Sequence, residues 1–353
     1  MGGPSSWNEG AALRRKKVGQ SILVVLAAWL AATTAARPAR SLSEGLDALP
    51  PNIAALYNAG QYRQAAEALE AAIEQNPRDA SLPYWLGRCF FEIRDYSRSI
   101  SSLEGAVKLD PERSAHHDWL GRACGRKADE SSHSNMVSAL SLARRTHQEF
   151  EAAVRLDATN INAQRDLIAF MASAPGSLGG GEENALAQIR ALSAVDPVEG
   201  TLALADLYAV EKKFAQASAE YQKVLASASN HLDAYLEAAD YYRDRGDSQP
   251  MEQAVEAAAK IAPTDRRLSY YRGVALVLEN KDPTVAENDL RTYLNTVPDN
   301  SELPAHSSAY EWLGKLYENE KKPDLAAEQY KAALALDPQN KALREALKRV
   351  QER

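Results

Sequence analysis

This sequence has little of what disulfide scaffolds, nucleic-acid binders and most enzymes depend on. Two cysteines in 353 residues exclude a disulfide-dense scaffold. With 18 glycines and 16 prolines the chain is neither collagenous nor linker-like. A net charge of -7 lacks the basic excess on which phosphate binding rests, which excludes nucleic acid as the main partner. No Gly-x-Ser-x-Gly, His-Glu-x-x-His or P-loop pattern is present, and no Cys-x-x-Cys-His for haem attachment. No catalytic residue and no cofactor is therefore expected. What is abundant is apolar material: 45% of the residues, enough for a sizeable core and too much for wholesale disorder.

The first segment reads as an address. Arg14, Arg15, Lys16 and Lys17 form a basic cluster, Ile22 to Ala32 is apolar and uncharged, and Thr33 to Ala36 supply small residues before Arg37-Pro38. A charged region, an apolar region and a small-residue cleavage region are the parts of a secretory signal. Two readings stay open for residues 1–36: a cleaved signal peptide, which places the protein in a bacterial periplasm, or an uncleaved anchor in the inner membrane facing that compartment. Contact with a membrane is expected only through this segment. Setting it aside leaves -10 on the remainder, because it carries four basic side chains against Glu9. Residues 80–170 are neutral, and 171–353 carry most of the negative charge.

A 34-residue period organises nearly everything else. Pro77 and Pro111 stand one period apart, as do Leu86-Gly87 and Leu120-Gly121. Repeats begin near residues 46, 80, 114, 161, 198, 232, 266 and 307, the seventh being out of frame between Gly273 and Pro298. Each reads as two antiparallel helices. In the second, Leu86, Phe90, Tyr96, Leu103 and Leu109 recur at helical spacing, and Asp110-Pro111 ends the second helix. Gly87, Ser99 and Ala106 are small where the helices must approach. Residues 341–353 read as a capping helix with Leu343, Leu347 and Val350 on one face. Residues 37–50 read as a linker.

The run Trp85-Leu86-Gly87 with Phe90, Ser99, Leu103, Ala106 and Pro111 resembles the tetratricopeptide repeat, as do Trp119-Leu120-Gly121 and Trp312-Leu313-Gly314 with Tyr317. The resemblance covers about 300 residues. It implies an all-α, right-handed α-solenoid of seven or eight helix pairs over residues 51–340, with insertions near 126–142 and 174–181. It also implies a concave face lined by the first helix of each pair. Carried onto this chain, the inward positions include Tyr84, Arg88, Phe91, Arg122, Arg126 and Arg165. Two readings of this arginine row stay open. One is a groove that binds acidic or carboxylate-ended peptides, since arginine holds carboxylates bidentately. The other is internal pairing with Asp118, Glu92 and Asp166. Asp233, Asp240, Arg243, Asp244, Glu311 and Glu318 line the later repeats, a half of the groove expected to repel acidic partners.

Both insertions read as breaks between helices. The glycine cluster at 174–181 is followed by Glu182-Glu183 rather than Gly-Lys-[Ser/Thr], so a tight turn fits it better than a phosphate loop. His116, His117, Cys124, His133 and His147 gather in the third repeat, but at spacings that fit no known metal finger. Cys89 and Cys124 read as small buried thiols, with a disulfide as the alternative in an oxidising compartment. The resulting expectation is a non-enzymatic, exported scaffold that binds a protein or peptide, or a second copy of itself. A metal-dependent site around the histidines and a passive membrane-tethered spacer are the alternatives.

Overall fold

The computed structural model describes residues 49–132, 134–227 and 230–352. The leader read in residues 1–36 and nearly all of the linker at 37–50 lie outside the described residues. Those described form seventeen α-helices and no strand. In chain order they are α1 (Pro51–Asn58), α2 (Tyr62–Gln75), α3 (Ser81–Glu92), α4 (Tyr96–Leu109), α5 (Ser114–Ser132) and α6 (Met136–Leu156). Then come α7 (Ile161–Ser173), α8 (Glu182–Val195), α9 (Pro197–Val210), α10 (Phe214–Ala226), α11 (Leu232–Arg245) and α12 (Ser248–Ile261). The last are α13 (Arg267–Glu279), α14 (Pro283–Thr296), α15 (His306–Asn319), α16 (Pro323–Leu336) and α17 (Lys341–Gln351). Sixteen helices follow the period as eight successive pairs, and α17 comes after the last. No helix among the described residues is long and apolar enough to cross a membrane.

Two compact units divide the chain. The first is built mainly from Tyr62–Glu220, the second from Ala54–Gln61 with Tyr221–Arg353.

In the first unit the repeat signature is a packing rule. Gly87 on α3 lies so close to α4 that an added Cβ would sit 2.5 Å from Leu103 Cγ. The Ser99 hydroxyl, fully buried, donates to the Gly87 carbonyl at 2.8 Å. Ser99, Leu103 and Ala106 recur at helical spacing and carry the buried stripe of α4. Its start is fixed by Asp95, whose carboxylate accepts from the Arg98 N–H at 3.1 Å.

The insertion of the third repeat is not a loop. Its extra residues lengthen both helices, so that α5 has 19 residues and α6 has 21, against 12 and 14 in α3 and α4. The stretch 126–142 has no glycine or proline, and its Ala, Lys, Glu and Leu residues favour helix. Asn135 restarts the helix by accepting from the Ser138 N–H at 3.1 Å. Ala128, Asp129, Ser131 and Ser132 bury the added length of α5.

The glycine cluster is a tight turn. Gly176–Leu178 forms one 3-10 turn, and Gly179 and Gly181 adopt φ of 90° and 122°. A Cβ on Gly180 would lie 1.8 Å from the Ala174 carbonyl oxygen, and one on Gly179 would strike the His147 ring. The turn lays Leu178 onto Ala143, Phe150, Leu167 and Phe170. Thus the second insertion packs against the helix that the first one lengthened.

The second unit repeats the scheme. Gly273 faces Leu290 and Gly314 faces Tyr330, each with too little room for a Cβ. The out-of-frame seventh repeat is nonetheless a packed pair, α13 with α14. At the end of the chain Leu343, Ala346 and Val350 of α17 cover Tyr330 and Ala333 of α16.

Candidate functional site

In the first unit the helices α3, α5, α7 and α9 carry the residues read as groove-lining. Arg88 is 4% exposed, and its guanidinium lies 4.2 Å from the Trp85 ring centroid and 4.1 Å from that of Trp119. It is clamped between a ring of its own helix and a ring of the next repeat. Tyr84 and Phe91 are buried beside it. Tyr84 packs on His116 at 5.1 Å, and Phe91 makes edge contacts with Tyr96 and Trp119. Both aromatics belong to the core between repeats.

Arg122 continues the row. Its Nε is 2.5 Å from Asp166 Oδ2 on α7 and 3.4 Å from Asp118 Oδ2 on its own helix. Arg165, 4% exposed, reaches α9: Nη1 is 3.2 Å from Glu199 Oε2 and Nη2 is 2.6 Å from Asp206 Oδ2. These three arginines therefore form a staircase, each fixing its helix to the equivalent helix of the next repeat. Buried pairs of this kind add little net stability over a well-packed apolar replacement, but removing one partner leaves an uncompensated charge. Arg126 differs. It is half-buried and makes no ion pair or hydrogen bond among the described residues.

The histidine cluster is dispersed. His116 points Nδ1 at the Asp110 carbonyl, 3.2 Å away, and burial holds its pKa below the usual range. His117 points Nδ1 at Glu149 Oε2, 2.7 Å away, and that hydrogen bond raises its pKa. His147 stacks on Phe170 at 5.2 Å, under the glycine turn. His133 lies outside the described residues. Cys89 and Cys124 are unpaired and fully buried, and burial pushes both thiols up to about 12.

In the second unit the acidic residues expected to repel acidic partners are largely neutralised. Asp240 is 2% exposed; it pairs with Arg243 and accepts from the Tyr271 hydroxyl at 3.0 Å. Arg243 also donates to the Tyr270 hydroxyl, which is 2.7 Å from Ser308 Oγ. This network joins α11, α13 and α15. Asp233 takes Arg267 at 2.8 Å, Glu311 takes Lys315 and Glu318 takes Arg349.

Sequence reasoning offered the pairing of Arg122 with Asp118 and Asp166 as one of its two readings and missed the rest of this system of staples, although one signal was present. Glu199 stands 34 residues after Arg165, and Arg267 stands 34 after Asp233, so opposite charges one period apart are neighbours on adjacent repeats. It also missed Asp129. This carboxylate on α5 is 7% exposed, neither oxygen has a hydrogen-bond partner among the described residues, and burial raises its pKa to about 7.

Comparison with known proteins follows the same register. Residues 54–114 and 307–340 match two family models, each described as Tetratricopeptide repeat. No curated protein matches the sequence. Among solved structures, a tetratricopeptide repeat protein from Parabacteroides merdae is 18% identical with a TM-score of 0.45, over 81% of this chain and 99% of its own. TTC0263, a TPR protein of Thermus thermophilus, is 21% identical with a TM-score of 0.43, over 54% of this chain and 95% of its own. Residues 54–114 and 307–340 are thus tetratricopeptide repeats, and the helix pairs and Gly87-type contacts of the other described residues follow the same plan.

Proposed function

We propose that the protein is an exported scaffold that holds a segment of a protein partner against the inner helices of its repeats. The repeat fold supports a role in protein–protein interaction generally. The observation that carries the finer reading is the staircase of Arg88, Arg122 and Arg165. Side chains that fix each inner helix to the next give a surface formed before the partner arrives, so binding does not have to order the scaffold. Export rests on the basic-apolar-small pattern of residues 1–36.

A photo-cross-linking residue tests the reading directly. Placed at Glu92 on α3, it should capture a discrete partner in the source cell; placed at Leu109 on α4, 42% exposed, it should not. Capture at Leu109 alone, or at neither position, would overturn the reading. Intact mass of the recovered protein separates a cleaved leader from a retained anchor.

A further inference from the structure

The second unit holds a cleft that the repeat plan does not require. Nine residues, 297–305, join α14 to α15, where four join α4 to α5. The long connection is pinned: the Tyr293 hydroxyl donates to the Pro304 carbonyl at 2.5 Å, and Asp299 accepts from the His306 N–H at 2.9 Å. It stands beside the turn that leads into α13 and the end of α1, where a Cβ on Gly60 would lie 3.2 Å from Pro298 Cβ. The three segments line a cleft of about 510 Å³. That volume falls in the range of small-ligand sites, roughly 300–1,000 Å³. Tyr57, Val297 and Leu303, all buried, give it an apolar side. Polar groups with unspent capacity give it another. Arg266 is exposed; its Nη1 donates to the Thr296 carbonyl at 2.5 Å, its Nε and Nη2 have no hydrogen bond and it makes no ion pair among the described residues. The Asn58 amide and the Thr264 hydroxyl make no hydrogen bond among the described residues, and Asn300 spends only its oxygen, on the Glu302 N–H at 2.9 Å.

What fits the cleft is constrained by sign. Its one lining carboxylate, Asp265, is taken: it accepts from Nε and Nη2 of Arg267 at 3.0 and 2.8 Å, and Arg267 also holds Asp233 at 2.8 Å. The surplus is therefore in donors, with Arg266 as the lining cation that no carboxylate matches. Arg267, Asp233 and Asp265 together sum to -1, so a second negative charge on a ligand meets repulsion. A carboxylate suits this balance better than a phosphate monoester, which carries about -1.5 to -2 at neutral pH. The planar guanidinium matches a carboxylate in shape, and the apolar side takes a hydrocarbon body. We propose that this cleft binds a small monocarboxylic acid with an apolar body, the carboxylate held by Arg266 with Asn58 and Asn300 and the body laid on Tyr57, Val297 and Leu303. The inference stands apart from the scaffold reading and does not rest on it.

The test titrates small molecules into the full chain with isotope-labelled Val and Leu methyl groups, up to millimolar concentrations. The probes are small carboxylic acids with aliphatic or phenyl bodies, each set beside its primary amide and the phosphate monoester of the same body. The expected result is that acids of the set shift the Val297 and Leu303 methyl signals, while the matched amide and phosphate bind about tenfold more weakly. Arg266→Gln should weaken the acid about tenfold, the scale of a lost hydrogen bond between charged groups. Arg266→Lys keeps the charge without the fork and should fall between wild type and Arg266→Gln. Arg344→Gln, at an exposed position of α17, should bind as wild type does. Thermal unfolding monitors the fold of each variant. No acid that moves the two methyl signals, amides that bind as well as acids, phosphates that bind better, or equal affinity in Arg266→Gln overturns the site. A lower unfolding midpoint in Arg266→Gln with unchanged affinity shows that Arg266 serves the end of α14 alone, and also overturns it.

Discussion

The guanidinium of Arg88 sits between two indole rings, 4.2 Å from the Trp85 centroid and 4.1 Å from that of Trp119. A side chain that could have faced a ligand is instead spent joining one repeat to the next. The same holds for Arg122 and Arg165, and it changes what each residue should do when altered.

Arg88→Ala removes a desolvated cation–π sandwich and leaves a void between α3 and α5. The expected cost is about 2–4 kcal/mol, seen as a lower midpoint in urea unfolding. Arg88→Lys keeps the charge but not the flat face, and should fall between wild type and Arg88→Ala. An unchanged midpoint in Arg88→Ala would contradict the assignment.

Arg165→Met leaves Glu199, 1% exposed, with its cation gone. The single change should cost about 3–5 kcal/mol. Adding Glu199→Leu should restore much of the loss, because an apolar pair tolerates burial where a carboxylate that has lost its guanidinium does not. A double variant less stable than Arg165→Met would contradict this, by the same unfolding assay.

Stability should depend on pH in a defined direction. The pKa of His117 is raised in the fold by its hydrogen bond to Glu149, so its contribution is complete below the unfolded imidazole value and is lost as pH rises through the folded one. Asp129, raised to about 7 by burial, behaves likewise from a lower start: its contribution is complete below the unfolded carboxylate value and is lost as pH rises toward 7. Asp129→Asn removes that loss, so it should stabilise the chain more at pH 8 than at pH 5, by about 2 kcal/mol. Unfolding curves at the two pH values check the sign; a larger gain at pH 5 would contradict it.

Gly180→Ala places a methyl group where the Ala174 carbonyl oxygen lies 1.8 Å away, and backbone cannot yield as a side chain can. The turn should open and release Leu178 from Phe150 and Phe170. Hydrogen exchange should rise over residues 174–181 and at α6 beneath them, with α3 and α4 unaffected. Unchanged exchange at the turn would contradict the packing.

Much of this fold was legible because period and packing coincide. Leu86-Gly87 and Pro111 mark the close approach and the end of a helix pair in any sequence that must repeat them. The third repeat was legible only as an insertion. Its length was visible, but whether residues 126–142 loop out or extend the helices turned on what the extra turns could bury, and Ala128, Ala139 and Ala143 supply that. The candidate site was the least legible. Arginines at inward positions look the same in sequence whether they face a groove or a neighbouring repeat. Only the positions of Trp119, Asp166 and Glu199 decide, and those depend on how adjacent helices stack. Asp129 gave no signal, since a carboxylate beside Lys127 and Glu130 in sequence reads as a solvated helix face.

Arg88, Arg122 and Arg165 each hold one repeat to the next, whereas Arg126 in the same row makes no ion pair or hydrogen bond among the described residues. The direct test sets the unfolding midpoints of Arg88→Gln, Arg122→Gln and Arg165→Gln beside that of Arg126→Gln. Lower midpoints are predicted for the first three and an unchanged midpoint for Arg126→Gln. A lowered midpoint in Arg126→Gln, or an unchanged midpoint in Arg122→Gln, would contradict this.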